Sequence, residues 1–332
     1  MPRPAALSSL SPLRLVAHAG LAAALCAACA GSTAQDAQET RALAELPGRW
    51  DNGFVELTTA GGPLRMHYLA AGPKDAPRVI LLHGFPDFSY GWREIVPALA
   101  TDFRVLAPDL RGYAATDKPD AGYDLDSLTA DVLAFADATA QLDGASADVP
   151  THLIGHDWGA AIGWWTMLKA PTRCTSYTAL SVPHPRAFDE FLAKNEEQRR
   201  KSKYMKRLTS PLAPAVFAGL SDKKRVAVYT DNLSRKEAFG DAELSLYRAA
   251  FDSRQETRGP LRYYTEKFRR AEANARVVEA APKIAVPVLV MWGNNDKFLM
   301  AEMAQDSCKF VADGKCEVQR FDAAGHWPHW DN

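Results

Sequence analysis

One pentapeptide limits the folds open to this chain. Thr151-His152-Leu153-Ile154 reads as a buried strand and Ala160 to Lys169 as a helix, and Gly155-His156-Asp157-Trp158-Gly159 joins them. A Gly-x-acid-x-Gly link lets strand pass into helix through a sharp turn, since neither glycine has a side chain to collide with neighbouring backbone. The turn exposes residue 157 above the sheet at the helix N-terminus, where a carboxylate is favoured and keeps its nucleophilic form. By itself the motif is weak, and Asp157 also fits a plain helix N-cap. Its place between a buried strand and an Ala-rich helix gives it weight.

The surrounding sequence repeats the strand–helix alternation. Phe54–Leu57 and Leu64–Tyr68 flank Ala60-Gly61-Gly62-Pro63 and predict a hairpin. Val79–Leu82, Phe103–Ala107, Tyr177–Ser181, Val286–Trp292 and Cys316–Phe321 are further strand candidates, of which Val79–Leu82 and Phe103–Ala107 read as the apolar runs of strands buried on both faces, with Val286–Trp292 as the next buried strand and Cys316–Phe321 as the last. Helices are expected over Trp92–Ala100 and Leu128–Leu142. This predicts an α/β fold: a mostly parallel sheet with helices on both faces. Residues 184–283 break the alternation with helical patterns alone. Arg186 to Lys283 holds 22 basic and 14 acidic residues, a net +8 against −9 for the rest of the chain. This segment is expected to be an inserted helical lid over the sheet's carboxyl edge, splitting the core into residues 50–183 and 284–332. Within it Arg199–Arg207 has six basic residues in nine, the pattern of a solvated helix face, with attraction to anionic substrates or lipid head groups as the other reading.

The whole chain of 332 residues carries a net charge of −1 and is 47% hydrophobic. That excludes a disordered chain and any whole-chain electrostatic case for nucleic-acid binding. Arg3 and Arg14 precede an apolar run, Leu15–Ala30, too short for a comfortable membrane span and ending in small residues. Residues 1–34 therefore read as a signal peptide and 35–49 as a flexible leader, which predicts an exported protein, periplasmic or secreted. A lipoprotein anchor at Cys29 would want an aliphatic residue where Cys26 stands. Cys174, Cys308 and Cys316 remain in the mature part. Export permits a Cys308–Cys316 disulfide, and two free buried thiols are the alternative. No cysteine–histidine cluster has zinc spacing.

A carboxylate nucleophile suits displacement at saturated carbon, forming an alkyl ester that water must then hydrolyse. Water needs a base, and His326 in Gly325-His326-Trp327 follows the last strand. The base needs an orienting acid, and Asp296 in Trp292-Gly293-Asn294-Asn295-Asp296 follows the strand before it. Taken alone, Asp296 is also a turn residue and His326 a structural histidine. His83-Gly84-Phe85-Pro86 follows Val79–Leu82, so the amides of Phe85 and Trp158 are candidates for an oxyanion hole; Pro86 has no N–H.

These segments, with Pro86-Asp87 and Asp109-Leu110-Arg111-Gly112-Tyr113, resemble the α/β-hydrolase family and within it the epoxide hydrolases, from about Gly53 to the chain end. The resemblance implies the α/β-hydrolase fold, the chain order nucleophile Asp157, acid Asp296, base His326, and two lid tyrosines that protonate the opening epoxide. Tyr204 and Tyr264 match their positions, with Tyr263 as substitute should the register differ by one. The segment after Tyr204 is Lys206-Arg207-Leu208-Thr209, where the family is aromatic-rich. Trp158 and Trp327 are candidate pocket walls. The implied substrate is a small-molecule epoxide with water, with no metal or organic cofactor, nucleic-acid partner or membrane span. The relatives' usual terminal helix is missing after His326, which points to a truncated sequence.

Haloalkane and haloacid dehalogenases share the aspartate turn. They tend to carry Asn or another halide-binding group at position 85, and fluoroacetate-type enzymes Arg at 158, where this chain has Phe85 and Trp158. A non-catalytic binding protein on the same scaffold is the third possibility. An esterase is disfavoured, as no Gly-x-Ser-x-Gly occurs.

Overall fold

The computed structural model describes residues 50–59 and 61–331. The signal peptide and leader expected over residues 1–49 lie outside the described residues. Eight strands form one sheet: β1 Asp51–Thr59, β2 Gly62–Ala71, β3 Arg78–Leu82, β4 Arg104–Pro108, β5 Thr151–His156, β6 Cys174–Leu180, β7 Val288–Gly293 and β8 Cys316–Phe321, in the order β1-β2-β4-β3-β5-β6-β7-β8. β2 runs antiparallel to β1 and β4; every other neighbouring pair is parallel. β3 and β4 are buried along their whole length, Val79–Leu82 and Val105–Pro108 as apolar runs in a sheet covered by helices, and Arg78 and Arg104 through ion pairs with Asp143. Each large apolar side chain so buried contributes about 1.5–3 kcal/mol.

The helix Leu125–Leu142 packs on β1 and on the helix Trp158–Lys169, which itself packs on β5 and β6. The long helix expected over Trp92–Ala100 is instead a 3-10 turn, Ser89–Trp92, and one α-turn, Val96–Leu99. Pro97 explains the break: without an N–H it cannot donate to the Arg93 carbonyl, so a helix can begin there but not pass through.

Between β6 and β7 the described residues form helices and turns, from Pro185–Lys194 through Arg254–Arg269 to Ala271–Ala280, and no strand beyond an isolated bridge from Ile284 to Val311. Cys308 and Cys316 form a disulfide, with Cα atoms 5.4 Å apart. It ties the start of β8 to the segment before it. Cys174 is buried and free.

The parallel strands set where chemistry can occur. β3 ends before His83, β5 before Asp157, β7 before the loop to Asp296, and β8 before the loop to His326. β3 neighbours β5, and β7 neighbours β8, so distant segments meet at one carboxyl edge, the usual place for ligands in such sheets.

Candidate active site

Asp157 has φ 48° and ψ −119°, a backbone state that costs a residue with a Cβ on the order of 1–3 kcal/mol. The surrounding glycines make it possible. A Cβ on Gly155 would lie 2.4 Å from the Gly159 carbonyl oxygen, one on Gly159 2.0 Å from that of Leu82, and one on Gly84 2.3 Å from the Asp157 Cβ. Neighbouring chain thus closes around the turn and leaves the Asp157 carboxylate facing a cavity of about 430 Å³.

The Phe85 amide donates to Asp157 Oδ1 at 2.9 Å. His326 Nε2 lies 3.4 Å from Asp157 Oδ2, and His326 Nδ1 2.7 Å from Asp296 Oδ2. The other Asp296 oxygen accepts from the amides of Phe298, at 2.7 Å, and Leu299, at 2.9 Å. Asp157, Asp296 and His326 are all buried. Burial alone would drive the imidazole toward its neutral form, but the Asp296 and Asp157 carboxylates outweigh it and raise the His326 pKa to about 10. Burial likewise works against the Asp157 carboxylate, yet the His326 contact and charge, His156 and the Phe85 amide hold its pKa below the usual value.

Tyr264 and Tyr204 line the same cavity as Asp157. Burial raises both phenol pKa values well above 10, and the Asp157 charge adds to the rise in each. Tyr264 is buried, with its ring edge-on to Trp158 at 5.1 Å and to Phe85 at 5.7 Å. Tyr204 is half-buried and packs on Phe298 at 5.3 Å, which packs on His326 at 5.0 Å. Tyr263 turns away and donates from its hydroxyl to the Arg111 carbonyl at 2.8 Å. Of the adjacent pair, Tyr264 is the one at the cavity. Trp158 lines the cavity wall, as do Trp165, Phe188 and Leu299; Trp327 stacks on Trp330 behind His326.

Sequence reasoning missed the residues that brace this arrangement. Gln198, fully buried, donates to the Phe298 carbonyl at 3.0 Å and accepts from the Met300 amide at 2.9 Å. Lys201 donates to the Asp296 carbonyl at 3.2 Å, and Arg199 to the carbonyls of Leu192 and Ala193. The basic run is therefore not simply a solvated face. In the Asp109–Tyr113 segment, Asp109 accepts from the Ser89 amide at 2.8 Å and the Leu110 amide donates to His83 Nε2 at 3.0 Å, holding the loop that carries Phe85. None of these pairings has a sequence spacing by which it could be read.

Among the described residues, one buried trio has the composition of a metal-ligand set: Asp87, His156 and His329, with ligand atoms within 4.8 Å of one another. Burial lowers the His156 pKa to about 3 and raises that of Asp87 to about 7. His156 Nε2 lies 2.8 Å from the His326 carbonyl, so the trio sits behind His326 and outside the cavity lining.

Sheet order and site together define a hydrolase of the α/β class with a carboxylate at the nucleophile position. Residues 77–332 match the family model of the alpha/beta hydrolase fold. Epoxide hydrolase 2 of Caenorhabditis elegans is 32% identical over 289 residues, covering 85% of this chain and 76% of the relative. Epoxide hydrolase 4 of Homo sapiens is 31% identical over 285 residues, covering 84% and 74%. The crystal structure of a Bacillus megaterium epoxide hydrolase in complex with an inhibitor superposes with a TM-score of 0.70 at 25% identity, covering 84% of this chain and 95% of that one. The chain belongs to the α/β-hydrolase fold family and, within it, to the epoxide hydrolases.

Proposed function

We propose that this chain is an exported epoxide hydrolase that converts epoxides to vicinal diols through an ester on Asp157. The observation that carries the reading is that two phenols, Tyr204 and Tyr264, share a cavity with a carboxylate whose other side is held by an imidazole. Asp157 attacks one ring carbon and the C–O bond breaks. Tyr204 and Tyr264 hold the oxygen, and one of them gives it a proton. With Asp157 esterified, its negative charge is gone and His326 loses the partner that kept it protonated. Its proton returns to the tyrosinate by way of solvent. Neutral His326 then takes a proton from water as that water attacks the ester carbonyl, and Asp296 stabilises the imidazolium. The amides of Phe85 and Trp158 receive the oxyanion. Collapse frees the diol, Asp157 and protonated His326, and the cycle balances with one water added and no metal or organic cofactor in any step.

Export is supported by the signal-like residues 1–34 and by the Cys308–Cys316 disulfide, which suits an oxidising compartment. The test is turnover of styrene oxide and of 1-bromobutane in ¹⁸O-labelled water, with mass spectrometry of products and protein. Diol formation with label entering the Asp157 carboxylate is expected. Bromide release without diol would replace the reading with a dehalogenase.

A further inference from the structure

The cavity that Asp157 lines is mostly apolar but includes several cations. Arg199, Lys203, Lys206 and Lys267 all line it, and among the described residues Asp189 is the only lining carboxylate besides Asp157. Three of these cations come from the basic run. Arg199 is engaged with the carbonyls at the end of the helix Pro185–Lys194, and Lys203 and Lys206 are exposed. Lys267 is different. It is half-buried and lies over the Phe188 ring at 4.9 Å. Among the described residues its ammonium has no hydrogen bond or ion pair. Burial pushes its pKa down, and the nearby Asp189 opposes this only in part. A cation held in this way gains from an anion brought to it.

Its position relative to the reaction is set by the helix Arg254–Arg269. Tyr264 and Lys267 are three residues apart, so they lie on one face about 4.5 Å apart along the axis. A molecule with its epoxide at Tyr264 reaches Lys267 across a short apolar body.

Building on the epoxide hydrolase reading, we propose that the site selects epoxides bearing a carboxylate, which seats on Lys267 after Arg199, Lys203 and Lys206 have drawn it to the cavity. The test uses the full chain and two substrate pairs: para-oxiranylbenzoate and epoxyundecanoate, each against its methyl ester. The readout is the acid-to-ester ratio of kcat/KM within each protein, so a general loss of activity cancels. In the wild type at least one pair should favour the acid by about fivefold, with the ratio falling as salt is added. Lys267→Met should bring it near one, Lys267→Arg should keep it and Lys267→Glu should invert it. Ratios near one in the wild type, or a preference untouched by Lys267→Met, would overturn the inference. Calorimetry with undecanoate and methyl undecanoate reads the same preference without turnover. A protein that binds the acid better but hydrolyses no epoxide, styrene oxide included, would refute the reaction and leave the anion preference standing.

Discussion

His326 Nε2 and Asp157 Oδ2 stand 3.4 Å apart, longer than a strong hydrogen bond and well within the range of a charge interaction. Asp296 fixes the imidazole from behind and the Phe85 amide fixes the carboxylate from its other oxygen, so the two groups face each other without closing. The proposed mechanism uses this relation, because in it a water acts on the Asp157 carboxyl carbon within reach of Nε2.

The first prediction follows from that division of labour. Asp157→Ala is expected to abolish turnover. His326→Ala is expected to react once and stop, leaving the intact protein heavier by one substrate, as seen by mass spectrometry. Ordinary multiple turnover in either variant would remove these residues from the mechanism.

The two adjacent tyrosines should respond differently. Tyr264→Phe removes a phenol at the cavity, and kcat/KM for epoxides should fall about 100-fold. Tyr263→Phe removes a buried hydrogen bond to the Arg111 carbonyl. It should cost about 1 kcal/mol in unfolding free energy while kcat stays near the wild-type value. Denaturant titration with steady-state kinetics separates the two effects.

The charge pairing at His326 has a pH signature. Its pKa rises from 6.5 to about 10 on folding, so the stability it contributes is fully present below about pH 6.5. That contribution is lost as the pH rises from about 6.5 to about 10. The Tm of the wild type relative to His326→Gln should therefore fall across this window. A difference that grew with pH would mean the imidazole is neutral in the folded enzyme. In Asp157→Asn, which lacks one of the two carboxylates, the His326 resonance should titrate at a lower pH by NMR.

Reducing or deleting the Cys308–Cys316 disulfide opens a loop with a sequence separation of 8. Loop-closure entropy predicts a loss of about 2.5 kcal/mol. Paired Cys308→Ser and Cys316→Ser substitutions should show it in denaturant unfolding, and dithiothreitol should have little further effect on that variant.

What the sequence made legible was what chain-local sterics dictate. Gly155 and Gly159 announce the turn at Asp157 because nothing larger fits there, and the unbroken apolar run Val79–Leu82 in β3 announces a strand covered on both faces. The position of His326 was readable because it follows the last strand. Pro97 was the local signal that the expected Trp92–Ala100 helix overlooked. The rest depended on distant segments meeting. The Phe298 and Leu299 amides that orient Asp296 carry no side-chain signature. Phe298 reaches both Tyr204 and His326 only because the loop after β7 folds under the insertion. Lys201 read as part of a solvated face, and nothing marked Lys267, since a sequence gives a side chain's charge but not what lies beside it.

Gln198 belongs to the helix Glu196–Lys201, yet its amide is spent on the loop that carries Asp296 and Phe298. The helix Glu196–Lys201 and the loop that carries Asp296 are thus joined through one side chain. Under the proposed mechanism a displacement of that helix would be felt at the Asp296 loop, so access for substrate and alignment of His326 would not be independent variables. The same link bears on engineering: an insertion transplanted from a relative to widen the cavity would also have to supply an amide at position 198, or the enzyme would gain room at the expense of its base.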